Sequence, residues 1–305
     1  MIKSEPRMKL VAIAEISEDR MIQAKTEHRP QFAFNDYREM LDKVDLDAVY
    51  VITHPDVLLP IVSASLQRNV HTSIEKPPGM NIGETRQMLA EQHRSGAKAI
   101  VSFNRRYIPE VLAARILLQE SGGAVQVAAG FHKPPADPDW RITSPPEIVS
   151  DAIHHVDLLR WLASPTATEA AVATEVLAQS WYGEPVGTPR YNAIATFDSG
   201  CRGVMMCQYG VGYRVQTAEA HAENMSIYLD LTATPKVTIY QEERLCDEPL
   251  DLDAVGGEDF DETRHFADCI LDDTGPWSSL DDAVRTMELC EAIERGVRGP
   301  LTTAI

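Results

Sequence analysis

Two short segments hold the side chains that could do chemistry: Glu75-Lys76-Pro77-Pro78-Gly79, at the end of an apolar run, and Ser150-Asp151-Ala152-Ile153-His154-His155-Val156-Asp157, at the start of a helical pattern. An X-Pro bond at a turn can be cis and so aim its neighbour, here Lys76. A lysine held this way can donate hydrogen bonds to a substrate hydroxyl, and partial burial lowers its pKa towards a useful value. The same residue also reads as a surface lysine in a Pro-Gly turn. On a helix, positions three and four apart share a face, so Ser150 or Asp151, His154 and Asp157 can line one side. A histidine there can serve as general base with a carboxylate orienting its ring, or it can be a core or capping histidine bonded to that carboxylate.

The elements that must position these groups follow from the apolar patterning. Leu10 to Glu15, Ala48 to Thr53, Val70 to Ile74 and Ala99 to Phe103 read as buried parallel strands. Between them lie helices opened by Ser17, capped by Asp36, over Pro60 to Gln67, and over Ile82 to Ser95 with Gly96 as the stop. Alternation at this spacing means βαβ units and an open doubly wound parallel sheet, which binds ligands beyond the carboxyl ends of its strands. The residues in that place are Glu15; Thr53, His54 and Pro55; Glu75, Lys76 and Pro77; and Asn104, Arg105 and Arg106. Arg105 and Arg106 could favour an acidic substrate or form ion pairs within the fold.

Beyond about residue 107 the texture changes. A helix over Pro109 to Gln119 is followed by a strand, Val125 to Phe131, and a Pro- and Asp-rich loop, Lys133 to Pro146, whose Trp140 could shape substrate choice. One helix is expected from about Pro146 to Leu162, anchored by Ile153, Val156, Leu159 and Leu162. Strands at Tyr191 to Phe197, Arg202 to Tyr209, Ser226 to Leu231 and Lys236 to Tyr240 have no helices between them and imply a largely antiparallel sheet, before a helical stretch over Phe260 to Arg295. The expected fold class is therefore α/β, a truncated Rossmann-like doubly wound parallel sheet followed by an α+β domain with a largely antiparallel open sheet. The expected domains are 1–106, incomplete at its amino end, and 107–305, whose last helices can pack back on the first.

Composition narrows the function classes. The 305 residues are 44% hydrophobic and 24% charged, values of a folded globular chain. A net charge of −18 repels nucleic acid and anionic membranes. No apolar run approaches the ~20 residues of a membrane span, and the start is too polar for a signal peptide, so a cytoplasmic location is expected. Five cysteines without a C-x-x-C pair fit neither a disulfide framework nor a structural zinc site.

Taken together, Glu75 to Pro77 (EKP), Val101 to Pro109 (VSFNRRYIP), Ile153 to Leu162 (IHHVDLLRWL) and Phe260 to Ile270 (FDETRHFADCI) resemble the glucose-fructose oxidoreductase / inositol dehydrogenase / MocA family, in the family's order and over nearly the whole chain. The resemblance implies a dinucleotide-binding Rossmann domain, then an α+β domain whose open sheet holds a small sugar or polyol on one side and a partner subunit on the other, as a homodimer or homotetramer. It implies catalysis by Lys76 and by His154 with Asp157. His154 would remove the hydroxyl proton while hydride passes to NAD or NADP, and Lys76 would stabilise the developing alkoxide. The family often has an Asp four residues before that histidine; here Ser150 stands there, with Asp151 next, and His155 is the alternative base.

The chain departs from the family at its start. The G-x-G-x-x-G turn that carries the pyrophosphate has no counterpart upstream of Leu10, so roughly 30 residues of a βαβ unit are expected to be missing, with a central strand slot left empty. Glu15 stands where a carboxylate would bind the adenosine ribose and favour NAD over NADP, though it also reads as a helix-start residue. A non-catalytic sugar-binding or assembly protein on the same scaffold is the second reading. A metal-dependent hydrolase or epimerase using His132, His154, His155 and Asp157 is the third, disfavoured because adjacent helical side chains diverge by about 100°.

Overall fold

The computed structural model describes residues 5–135, 143–183, 187–246 and 250–301. They fall into two compact units, one of residues up to 79 with 84–102 and 262–280, the other of 80–83, 103–261 and 281 onward. The stretch 262–280 thus joins the first unit from far along the chain.

The first unit alternates strand and helix: β1 (Ala12–Ala14), α1 (Glu18–His28), β2 (Phe32–Phe34), α2 (Tyr37–Lys43), β3 (Ala48–Val51), α3 (Leu58–Leu66), β4 (His71–Ile74), α4 (Ile82–Ser95) and β5 (Ala99–Val101). Local chemistry sets the helix starts. The Ser17 hydroxyl accepts from the Arg20 amide, and the Asp36 carboxylate accepts from the Arg38 amide at 2.8 Å, each satisfying an amide that the first turn leaves unpaired. All strand pairing here is parallel, but it is split: β1 pairs with β2, and β3, β4 and β5 form a separate sheet in that order. The outer edge of β5 is closed by Ser278 and Ser279; the Val101 amide donates to the Ser278 carbonyl at 2.8 Å and the Ser278 hydroxyl to the Val101 carbonyl at 2.7 Å. The edges of β1 away from β2 and of β3 away from β4 pair with no strand among the described residues. The short strand β2 escaped the sequence reading, because three residues carry no period.

The second unit is built on one nine-stranded sheet. Its elements are α5 (Pro109–Glu120), β6 (Gln126–Lys133), α6 (Glu147–Ser150), α7 (Ile153–Leu162), β7 (Ala173–Gly183), β8 (Thr188–Phe197), β9 (Arg202–Tyr209), β10 (Val215–Ala222), β11 (Met225–Asp230), β12 (Lys236–Gln241) and β13 (Arg244–Leu245), then β14 (Arg298–Pro300). The helical stretch expected at 260–295 is two helices, α8 (Glu262–Leu271) and α9 (Leu280–Glu294). Strand order is β13-β12-β11-β10-β6-β9-β8-β7-β14, antiparallel throughout except for the parallel pair β6 and β9. One face is buried: Val127, Ala129 and Phe131 of β6, Met205 and Cys207 of β9, and Tyr191, Ala193 and Ala195 of β8 are all enclosed. Against it lies α7, in which every residue except His154 is buried. Ile153, Val156, Leu159 and Leu162 lie in the core as the stripe requires.

The single helix expected over 146–162 is in fact broken. α6 ends at Ser150, Asp151 leaves the helical backbone at φ −135°, ψ −57°, and α7 restarts at Ile153. Asp151 and His154 therefore do not share a continuous helix face.

Candidate functional site

In the first unit, the candidate residues sit at the carboxyl ends of β1, β3 and β4. The Glu75 amide donates to the Val51 carbonyl at 3.0 Å, extending the β3–β4 ladder by one step before the chain turns. The Lys76–Pro77 bond is cis, and Pro77, Pro78 and Gly79 are buried while Glu75 and Lys76 are partly open. Gly79 fixes the end of the turn: its φ is +105°, and a Cβ there would lie 2.8 Å from Cβ of Glu84. Burial pushes the Glu75 carboxyl upward, with Lys76 opposing.

Thr53 and His54 are half-buried and follow β3. Pro55 is buried at the first position of a 3₁₀ turn, and His54 Nδ1 lies 2.7 Å from the Asp56 carboxylate. Three apolar side chains in these same loops stand in solvent: Ile16 (86% exposed), Ile52 (65%) and Val57 (40%). Glu15, after β1, accepts from the Ser17 amide at 2.8 Å and from Arg20 Nε and Nη2 at 2.9 and 2.8 Å. Arg20, with the Ser17 amide assisting, lowers its pKa to about 2 against the cost of burial. The Ile16 amide also bonds this carboxylate, so Glu15 is held as an anion at the end of β1.

In the second unit, several candidates have structural work. Arg106, expected to touch substrate, is fully buried: Nε donates to Asp157 at 2.7 Å and Nη2 to both Asp157 and Asp282. Arg160 joins the cluster, donating from Nη2 to Asp282 at 2.8 Å and from Nη1 to Thr286 at 2.6 Å; the Thr286 hydroxyl in turn donates to Asp157 at 2.9 Å. Two guanidinium groups thus neutralise two carboxylates away from water. Burial alone would raise Asp282, but Arg106 and Arg160 hold it below its ordinary value. Of the two expectations for Arg106, a substrate contact or an ion pair within the fold, the structure shows the ion pair, and Asp157 is buried as its partner.

His155 is also fully buried, its ring edge-on to Phe131 at 5.1 Å between centroids. Burial first, then the charges of Arg105, Arg214 and His132, lower its pKa to about 3, so it is a neutral residue of the core. His154 is the partly open residue of α7. Asn104 is exposed and accepts from Arg105 Nη1 at 3.1 Å. Trp140 lies outside the described residues.

Asp151 is held by two groups that the sequence did not single out. Lys133 Nζ donates to its Oδ2, and the Tyr209 hydroxyl donates to the same oxygen at 3.1 Å. Lys133 and Tyr209 face each other in the parallel β6–β9 register. Burial raises the Tyr209 phenol well above its ordinary value, so it remains a donor. The one signal available in sequence was that both residues end apolar-alternating strands; the parallel pairing of strands so far apart along the chain left no local trace.

Residues 1–103 match the family model described as oxidoreductase family, NAD-binding Rossmann fold. The chain is 24% identical over 218 residues to the uncharacterized oxidoreductase YrbE of Bacillus subtilis, covering 69% of this chain and 64% of that protein. It is 23% identical over 214 residues to a myo-inositol 2-dehydrogenase of Thermotoga maritima, covering 68% and 64%. The matched region is thus under two thirds of the length of these relatives. A probable dehydrogenase structure from Thermotoga maritima superposes with a TM-score of 0.80 at 20% identity, covering 100% of this chain and 95% of that one, which establishes the shared fold. Residues 1–103 thus match the NAD-binding Rossmann model of the Gfo/Idh/MocA oxidoreductases, and the chain as a whole shares the fold of that dehydrogenase structure.

Proposed function

We propose that the chain is an NAD-dependent oxidoreductase acting on a hydroxyl carbon of a sugar, polyol or sugar acid. The observation that carries this reading is the Glu75-Lys76-Pro77 turn at the carboxyl end of β4, inside the region that matches the family model. The similarity to a myo-inositol 2-dehydrogenase supports the polyhydroxylated substrate class.

The residues present fit a dinucleotide in two respects. Glu15 stands at the end of β1 where an adenosine ribose would lie, and its held negative charge disfavours a 2′-phosphate, hence NAD over NADP. The solvent-facing Ile16, Ile52 and Val57 suit flat aromatic rings, while Thr53, His54 and Pro55 shape the loop beside them. A bound nicotinamide would supply the hydride acceptor or donor. In this reading, Lys76 is the donor that stabilises charge developing on an oxygen, and His154 is the general base. Asp151, fixed by Lys133 and Tyr209, supplies the carboxylate beside that histidine's helix.

The outer face of the nine-stranded sheet supports assembly with a second copy. Leu177 and Ile194, directly paired across β7 and β8, are each 50% exposed, and Met206, Tyr228 and Tyr240 continue the apolar surface.

The test is NAD⁺ reduction measured over a panel of sugars, polyols and sugar acids. Lys76→Met and His154→Asn should each lower kcat by about 10²–10⁴-fold with unchanged melting temperature. Full turnover in both variants would refute the assignment.

A further inference from the structure

The second unit buries several nitrogen atoms that have no hydrogen-bond partner: Arg105 Nε, Gln216 Nε2 and both ring nitrogens of His155. They belong to one place. Gln216 stands opposite Phe131 in the β6–β10 register, and Phe131 carries the His155 ring at 5.1 Å. Arg105 Nη2 donates to the Gln216 side-chain oxygen at 2.8 Å. Gln216 itself is fully enclosed, and Arg214, two residues earlier and so on the same side of the chain, is exposed.

Among the described residues, neither arginine is hydrogen-bonded to a carboxylate. The acceptors of Arg105 are the side-chain oxygens of Asn104 and Gln216, and neither Arg105 nor Arg214 forms an ion pair among the described residues. The nearby Asp151 is already engaged by Lys133 and Tyr209. With 46 acidic residues against 28 basic ones, a shortage of carboxylates is not the reason. Burial, and then the like charge of Arg214, weakens the protonated form of Arg105, so the pair is held at an electrostatic cost. A buried donor left unmade costs about 1–3 kcal/mol. A neutral hydroxyl would accept from one of these donors and leave both charges uncompensated. An oxyanion would accept from several and neutralise the site.

We propose that Arg105, Gln216 and Arg214 bind an oxyanion substituent of the substrate, a carboxylate or a phosphate, so that the preferred substrate is an acidic sugar derivative and not a neutral polyol. The inference takes the word substrate from the oxidoreductase reading, but the binding it describes needs no cofactor.

Isothermal titration of the full chain, without dinucleotide, with galacturonate and glucose 6-phosphate against neutral galactose and glucose tests it directly. At least one anion should bind at least about tenfold more tightly than its neutral counterpart, with the preference shrinking at high salt. Which anion wins identifies carboxylate or phosphate. Arg105→Gln should weaken that anion at least about tenfold, and Arg214→Gln, at an exposed position that leaves the core intact, about threefold. The proposal is overturned if anionic and neutral ligands bind alike, if neither anion binds at millimolar concentration, or if natively melting variants at both arginines bind the anion as the wild type does. Failure of the oxidoreductase reading looks different: anion preference persists, but no nicotinamide-dependent turnover accompanies it.

Discussion

The two units treat a sheet in opposite ways. In the second, nine strands share one continuous sheet, a helix buried on nearly every side lies against one face, and the charges that helix brings inside are matched two against two by Arg106, Arg160, Asp157 and Asp282. In the first, five parallel strands are divided between two sheets, no residue of β1 is buried, and Ile16, Ile22 and Ile52 face solvent. The contrast separates two roles. Where one sheet is continuous and its buried ion pairs are matched, the unit is a rigid frame; where strand edges and apolar side chains are open, the unit has low local stability and room to bind.

Substitutions can break that contrast, beginning with the largest effect. Arg106→Met should destabilise the second unit by about 3–5 kcal/mol in denaturant titrations, because Asp157 and Asp282 are left with one buried counter-charge between them. A loss below 1 kcal/mol would show that water reaches the cluster.

Acid gives the next effect and separates the units by window. His155 in the second unit has its pKa lowered to about 3 by burial, and His265 in the first to about 4, both from 6.5. Each ring is neutral when folded and takes up a proton on unfolding once the pH is below 6.5. Their contribution is therefore intact above that pH and is lost as pH falls, towards 3 for His155 and towards 4 for His265. The slope is about 1.4 kcal/mol per pH unit for each fully expressed shift. His155→Phe should flatten the part of the profile that belongs to the second unit; an unchanged profile would mean that the ring titrates normally.

The smallest effect sharpens the comparison from the other side. Ile16→Ser and Ile52→Ser should change stability by no more than about 0.5 kcal/mol, whereas Ile100→Ala, at a fully buried position of β5, should cost about 2–5 kcal/mol. Amide exchange should follow the same order, with β1 and β2 exchanging well before β8 and β9.

Much of this was legible in the residues. The βαβ rhythm, the caps at Ser17 and Asp36 and the stripe of α7 all follow from local patterns that survive folding unchanged. β7 and β10 were missed: β10 alternates small with polar residues, VQTAEAHA, which gives little apolar signal, and β7, ATEVLAQSWYG, carries a register shift between Ala173 and Glu175 and has no clean alternation. At the site, Lys76 and His154 stood out by spacing. The work of Arg106 and Asp157 could not be read from that spacing, because their partner Asp282 lies more than a hundred residues on. Lys133, Tyr209 and Gln216 were hidden for the same reason, since only non-local strand pairing brings them to one end of the sheet.

The central claim, that the open first unit receives a nicotinamide dinucleotide, is tested most directly by titrating the 305-residue chain with NADH and following nicotinamide fluorescence. Saturable binding that Glu15→Ala weakens is the result expected; a strictly linear response up to millimolar NADH would contradict the account.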